Sequence, residues 1–251
     1  VRGNAAGSRG GGLFIRSNSE EEYQFALGNT LITGNTAEDG AGVFFEATGS
    51  AIGIGRIANA TVHGNRAANL GGGLYYDLGT AGASLEIANS IFAGNASIEQ
   101  YGQANVRSSG SNPAQIAHTL ITGSFLFGGF DTDLGSDGGG NVGGAPLFRS
   151  PVDPSETPTT AGDMRLNWAS PVIDRGNLEF IPDTFDETSQ LYVNDLEGGE
   201  RIAGPDVDMG VYEGGTFASG TGRPTDNRLL VDATATNDRG GESWANPYRT
   251  L

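Results

Sequence analysis

The sequence predicts an all-β parallel β-helix, with three strands in each coil of about 30 residues. Three observations predict it. A seven-residue element recurs as Asn29-Thr30-Leu31-Ile32-Thr33-Gly34-Asn35, Asn59-Ala60-Thr61-Val62-His63-Gly64-Asn65 and Asn89-Ser90-Ile91-Phe92-Ala93-Gly94-Asn95. A looser copy runs from His118 to Ser124, and Val1-Arg2-Gly3-Asn4 reads as the tail of one more. From Asn4 the closing asparagine advances by 31, 30 and 30 residues. Each step also holds three short apolar bursts, and 42 glycines in 251 residues disfavour extensive helix. Steps of this size mark solenoids and related arrays.

Within a coil, the first strand is of the Leu31-Ile32-Thr33 type. A glycine run then leads into Leu13-Phe14-Ile15, Val43-Phe44-Phe45 or Leu74-Tyr75-Tyr76. The third strand alternates, as in Tyr23-Gln24-Phe25-Ala26-Leu27, Ile52-Gly53-Ile54-Gly55-Arg56-Ile57 and Ala83-Ser84-Leu85-Glu86-Ile87. Bursts this short, broken by Gly and Asn, are strands rather than helices. Coils stacked at roughly 4.8 Å place equivalent residues above one another. Ile32, Val62, Phe92 and Ile121 then form one inward column, and Leu27, Ile57, Ile87 and Ile116 another. Asn29, Asn59 and Asn89, and likewise Asn35, Asn65 and Asn95, are expected as structural ladders of stacked amides. His118 takes the first of these positions in the fourth coil.

Residues 1–148 are read as the coils and residues 149–213 as a closing segment. A solenoid end is an unpaired sheet edge that needs a cap, and Trp168, Phe180 and Tyr192 are the aromatics expected to pack there. Residues 214–228 read as a Gly/Ser/Thr linker. Residues 229–251 begin with an apolar run, Leu229-Leu230-Val231, and contain Trp244 and Tyr248.

The hydrophobic-x-Gly-Asn element followed by Gly-Gly-hydrophobic resembles the repeats of the pectin-lyase-like superfamily of right-handed β-helices. Its polymorphic outer-membrane-protein type of surface repeat is nearest. Gly140-Asn141-Val142-Gly143-Gly144-Ala145-Pro146-Leu147-Phe148, Ser170-Pro171-Val172-Ile173-Asp174-Arg175-Gly176 and Asp206-Val207-Asp208-Met209-Gly210-Val211-Tyr212-Glu213 are similar to the closing part of choice-of-anchor β-helix domains. The resemblance implies a right-handed helix in a large secreted or surface-anchored bacterial protein. Residues 229–251 resemble the opening strand of another such domain. That strand either starts a following module of a longer chain or docks onto another subunit as a connector.

Formal net charge is −16, from 30 acidic and 14 basic residues, and every basic residue is arginine. That field repels nucleic acid and anionic membranes, so neither is expected as a partner. There is no cysteine, which leaves the stacked core to hold the fold. No stretch is apolar enough to span a bilayer as a helix.

Lyases of the superfamily hold Ca²⁺ on clustered carboxylates and abstract a proton with a basic residue on the outer face of one strand stack. Here the outward candidates on the Leu31 stack are Leu31, Thr61, Ile91 and Leu120, or Thr33, His63, Ala93 and Thr122, and no carboxylate is among them. Hydrolases need paired carboxylates, and the regular coils supply no acidic column. His63 lacks a sequence-adjacent Asp or Ser and reads as a surface residue. Asp131, Asp133 and Asp137 lie in a Gly-rich loop with oxygen ligands suited to Ca²⁺, but the spacing fails the EF-hand template. No other cofactor is expected. Phe14, Phe44 and Tyr75 form an outward aromatic column, a candidate interface or sugar contact. Asn59-Ala60-Thr61 and Asn95-Ala96-Ser97 match the N-glycosylation pattern, but the repeat already accounts for both asparagines.

The function expected is a non-enzymatic structural rod of an extracellular or cell-surface bacterial protein: an adhesin, stalk or fibre subunit. Its partners would be copies of itself or adjacent modules, with surface polysaccharide as a further candidate. The alternative is a carbohydrate-active β-helix, either a polysaccharide lyase or hydrolase or a sugar-binding module.

Overall fold

Stacked parallel strands build the chain, as the 30-residue repeat requires. The computed structural model describes residues 1–17, 22–48, 52–79, 82–99, 102–126, 128–181 and 194–214. Tyr192, the linker beyond residue 214 and the connector residues Leu229, Leu230, Val231, Trp244 and Tyr248 lie outside the described residues.

Three parallel sheets form the coils. The first contains Leu13–Ser17, Val43–Ala47, Leu74–Leu78 and Val106–Ser108. The second contains Glu22–Gly28, Ile52–Ala58, Ala83–Ala88, Gln115–Ala117 and Ser136–Asp137. The third contains Leu31–Thr33, Thr61–His63, Ile91–Ala93 and Leu120–Ile121. Register follows the repeat. Ile32 pairs with Val62, Val62 with Phe92 and Phe92 with Ile121. Leu27, Ile57, Ile87 and Ile116 align in the same way. Both columns point inward and meet Phe45, Leu74 and Tyr76 of the first sheet in one continuous core. Val1–Asn4 is indeed part of a further copy, since Arg2 bridges in parallel to Thr33.

The corners explain the conserved spacing of Gly and Asn along the repeat. Asn29, Asn59, Asn89 and His118 all adopt a left-handed backbone, with φ of 49°, 51°, 48° and 45°. Asparagine accepts this region more readily than other non-glycine residues. Gly34, Gly64 and Gly94 sit in the same region five residues later in each coil.

The fourth coil departs from the repeat. A short helix, Gly102–Asn105, leads directly into Val106–Ser108. Beyond it, a small antiparallel pair, Phe125–Leu126 with Gly129–Phe130, precedes Leu134. Leu134 is fully buried in the solenoid core and Phe130 packs partly against it. These residues close that end of the core. Trp168, expected as a cap aromatic, is 63 % exposed. Phe180 instead lies beside the His118 ring at 5.8 Å.

The segment after residue 141 runs along the flank of the solenoid. It includes an antiparallel pair, Phe148–Ser150 with Asp163–Leu166. Its apolar residues Phe148, Val152, Met164, Leu166, Val172, Ile173, Met209 and Val211 form a second core with Leu31, Ile91, Ala93 and Leu120. The outer side of the third sheet is apolar, so it needs such a cover to stay out of water. Among the described residues, no helix is long and apolar enough to cross a membrane.

Candidate functional site

The face of the third sheet expected to be outward is sealed. His63, read from sequence as a surface residue, is only 5 % exposed because the flank segment lies on it. Phe148 meets its ring edge-on at 4.9 Å. Neither ring nitrogen has a partner in hydrogen-bonding geometry, although the Ala93 and Val152 backbones lie beside the ring. Burial lowers its pKa to about 4, so the imidazole is neutral at ordinary pH. Thr33, its neighbour in the stack, is also buried with an unbonded hydroxyl.

The two asparagine sets do different work. Asn35 Nδ2 donates to Asn65 Oδ1, Asn65 Nδ2 to Asn95 Oδ1, and Asn95 Nδ2 to Asn105 Oδ1, each at 2.9 Å. Asn4 donates to Asn35 at 3.0 Å from the other side. This is a ladder. Its fourth rung is Asn105 rather than Ser124, whose buried hydroxyl is unbonded. The expectation of a second ladder at Asn29, Asn59 and Asn89 is corrected. At Asn29 and Asn89 the side chain meets the flank segment instead. Asn29 Nδ2 donates to the Asn194 carbonyl, and Asn89 exchanges hydrogen bonds with the Asn177 backbone. Asn59 is buried with both amide atoms unbonded. Burial of Asn59 and Asn95 leaves neither glycosylation pattern accessible in the folded chain.

The flank segment is held by a buried charge cluster that sequence reading missed. Arg201, 2 % exposed, donates from Nη2 to the carbonyls of Asp208 and Gly210, and its Nε lies 3.5 Å from Glu213 Oε1. Asp208 accepts the backbone N–H groups of Asp174 and Gly214, while Asp195 accepts those of Glu197, Gly199 and Glu213. Burial, with the neighbouring Asp208 charge, raises Glu213 to about 8. Burial also raises Asp208 to about 6. Three carboxylates around one guanidinium carry excess negative charge, and a proton on Glu213 relieves it.

The outer face of the first sheet carries the expected aromatic column. Phe14 stacks on Phe44 with ring centroids 5.5 Å apart, and Phe44 on Tyr75 at 4.8 Å and 6° between planes. Arg9 lies over the Phe44 ring at 4.9 Å. The rings face one another along the stack, so Phe44 is only 2 % exposed, while Phe14 at the end of the column is 49 % exposed. Beside the column, Glu46 pairs with Arg16 at 3.1 Å, and on the second sheet Arg56 pairs with Glu86 at 2.7 Å.

Asp131, Asp133 and Asp137 do not converge. Asp131 Oδ1 accepts the Asp133 N–H, whereas Asp137 Oδ1 accepts from Gly139 and from the Asn141 side chain. Among the described residues, no group of three or more His, Cys, Asp or Glu side chains is placed to hold a metal ion. Asp133 instead joins Arg107, Ser108, Ser109, Ser111 and Thr132 around a cavity of about 460 Å³. Arg107 occupies the next position after Tyr75 in the aromatic column, so the cavity opens where that column ends.

No protein-family model matches the chain, nor does any curated protein or any solved structure.

Proposed function

We propose that the chain is a non-enzymatic structural module of an extracellular or cell-surface protein, related to the surface-repeat branch of the pectin-lyase-like β-helices. The observation that carries this reading is the sealed third sheet. Leu31, Ile91, Ala93 and Leu120 are consumed by the flank segment, so one of the three strand stacks offers no open outer face for chemistry. Three carboxylates of the other two faces point the same way, although Asp77 stands beside Glu46 in register with no ion pair among the described residues. Glu46, Glu86 and Glu99 each sit in an ion pair with an arginine, which uses carboxylates for cohesion between coils. A mute, cross-braced rod suits an adhesin, stalk or fibre subunit that works by spacing and by contacts with its own kind.

Two measurements test the reading together. Antibody against residues 1–214 should detect the native polypeptide in the surface or secreted fraction of its source cells. The purified chain should leave a panel of neutral and acidic polysaccharides uncut, with no rise in reducing ends or in unsaturated-sugar absorbance. Confinement to the cytoplasm, or turnover of any polysaccharide, overturns it.

A further inference from the structure

The last described stretch of the flank, residues 194–214, carries six carboxylates and a single arginine, Arg201. Three of the six, on Asp195, Asp208 and Glu213, are buried around that arginine. We propose that residues 194–214 form a charge-latched plug, seated on the third sheet at neutral pH and lifted from it in base, while the solenoid and the flank up to residue 176 stay folded. A surface rod and an enzyme could each carry such a plug.

The plug is attached to the solenoid by a short turn. Met209 and Val211 join the apolar cluster over Leu31, Ile91 and Leu120. Between them Gly210, with φ of +96°, lies so close that a Cβ would come within 2.7 Å of both Ile91 and Thr61. Among the described residues, three hydrogen bonds tie the plug to the coils. The Gly210 N–H donates to the Asn89 carbonyl at 2.8 Å, the Val211 N–H to the Thr61 hydroxyl at 3.1 Å and the Asn29 side chain to the Asn194 carbonyl at 3.1 Å. None of these is a ladder bond between coils, so the three sheets keep all of theirs when the plug leaves.

The charge cluster gives this turn its shape. Arg201 Nη2 donates to the carbonyls of Asp208 and Gly210, on either side of Met209. Asp208 accepts the Gly214 N–H, Glu213 the Asp208 N–H and Asp195 the Glu213 N–H. These side chains do not balance in charge. Three ionised carboxylates against one guanidinium leave two negative charges uncompensated and out of water, and Asp174 acts on Asp208 as a fourth carboxylate from the flank. The sheet below brings no cation, since it meets the turn with the Thr61 hydroxyl, the Asn89 carbonyl and Ile91. Protons must therefore supply the balance at neutral pH.

Burial and the neighbouring Asp208 push Glu213 up to about 8, so its proton is the one lost just above neutrality. In the lifted segment Glu213 is an ordinary, already ionised glutamate. Above 8, each pH unit then shifts the seated-to-lifted ratio by up to about tenfold. The other charged groups do not offset this. Glu200 is exposed, Glu197 pairs with Arg165 at 3.2 Å, and Asp206 adds negative charge to the segment. Arg2, Asp163 and Arg165 act on Tyr212, whose phenol burial pushes up from its usual value. Arg201 keeps its charge throughout.

Hydrogen–deuterium exchange of the full chain between pH 7 and 9.5, corrected for base catalysis of the intrinsic rate, tests the plug. Protection across residues 194–214 should fall roughly tenfold or more over that range, while residues 52–63, 83–93 and 163–173 change less than about twofold. Glu213→Gln keeps an uncharged oxygen toward the Asp208 N–H, so its protection at pH 9.5 should stay within about threefold of the value at pH 7. If that variant fails to fold, Asp208→Asn removes the second charge and should likewise blunt the fall. Tyr212→Phe should behave as the parent. Protection undiminished at pH 9.5 overturns the proposal, as does a loss shared equally by residues 52–93. A parent-like fall in Glu213→Gln, or no fall in Tyr212→Phe, moves the trigger off the carboxylates and overturns it too.

Discussion

Asn65 Oδ1 accepts two hydrogen bonds from one residue, the side-chain amide of Asn35 at 2.9 Å and its backbone N–H at 3.0 Å. The same pattern recurs between Asn65 and Asn95 and between Asn95 and Asn105. Each rung satisfies a corner N–H that the sheets cannot reach, and each is buried from water. Asn65→Ala strands the Asn35 N–H and takes the amide donor from the Ile32 carbonyl, while Asn95 Oδ1 still accepts the Asn65 backbone N–H. Two buried groups left unmade cost roughly 3–5 kcal/mol. Chemical denaturation of the variant should show a lower midpoint with an unchanged slope. A loss under 1 kcal/mol would mean that the ladder is ornamental.

Much of this fold is legible in the residues, because a step of 30 turns sequence position into spatial position. Ile32, Val62 and Phe92 stack because the spacing allows nothing else once the strands are parallel. The direction of Asn29, Asn59 and Asn89 is not legible. Asparagine suits both a ladder and a left-handed turn, and only the backbone angle separates them. Asn105 is hidden as well, since it supplies a rung ten residues after Asn95 rather than thirty. The flank segment has no period to read. Its bond from the Val211 N–H to the Thr61 hydroxyl joins residues 150 apart in sequence. Arg201 and Glu213 belong to types that are normally exposed, so nothing in composition marks them as buried. The cavity escapes for a related reason. Arg107 and Asp133 come from separate coils, and serines in a loop read as ordinary solvated residues.

His63 should make the flank sensitive to acid. Its folded pKa of about 4 lies below the ordinary 6.5, so the unfolded chain binds a proton that the native chain refuses. The stability from keeping this ring neutral is complete above pH 6.5 and is lost as pH falls toward 4. The loss amounts to roughly 3 kcal/mol across that window. His63→Leu removes two unbonded nitrogens, so it should flatten this acid limb and add about 1 kcal/mol near neutrality. Urea denaturation at half-unit pH steps checks both outcomes.

Glu213 should act in the opposite direction. Its folded pKa, raised to about 8, stabilises the protonated form. That contribution is fully present below pH 4.5 and disappears as pH rises through 8. Glu213→Gln mimics the protonated acid and keeps an oxygen for the Asp208 N–H, so thermal midpoints should agree with the parent near pH 5. Above pH 8 the variant should be the more stable of the two. Equal midpoints at pH 9 would mean that Arg201 already neutralises the site. Over the shared range, from about pH 4.5 to 6.5, the His63 and Glu213 trends oppose, so the parent profile alone is shallow and the variants resolve it.

Gly64 tests whether flank and solenoid stand or fall as one. Its φ is +64°, and a Cβ there would lie 2.5 Å from Val152 Cβ. Alanine at this position meets two penalties, the left-handed backbone and the collision, together about 2–4 kcal/mol. Residues 149–162 must move to admit it, whereas the inward column through Val62 need not. Limited proteolysis should therefore cut Gly64→Ala within 149–162 at protease levels that spare the parent, leaving residues 1–140 as a resistant fragment. Gly7→Ala is the control, because nothing lies within 4 Å of a Cβ there. If Gly64→Ala instead loses the whole chain to protease in one step, the flank is part of the solenoid's folding unit, and its apolar face against Leu31, Ile91 and Leu120 is as indispensable as the core itself.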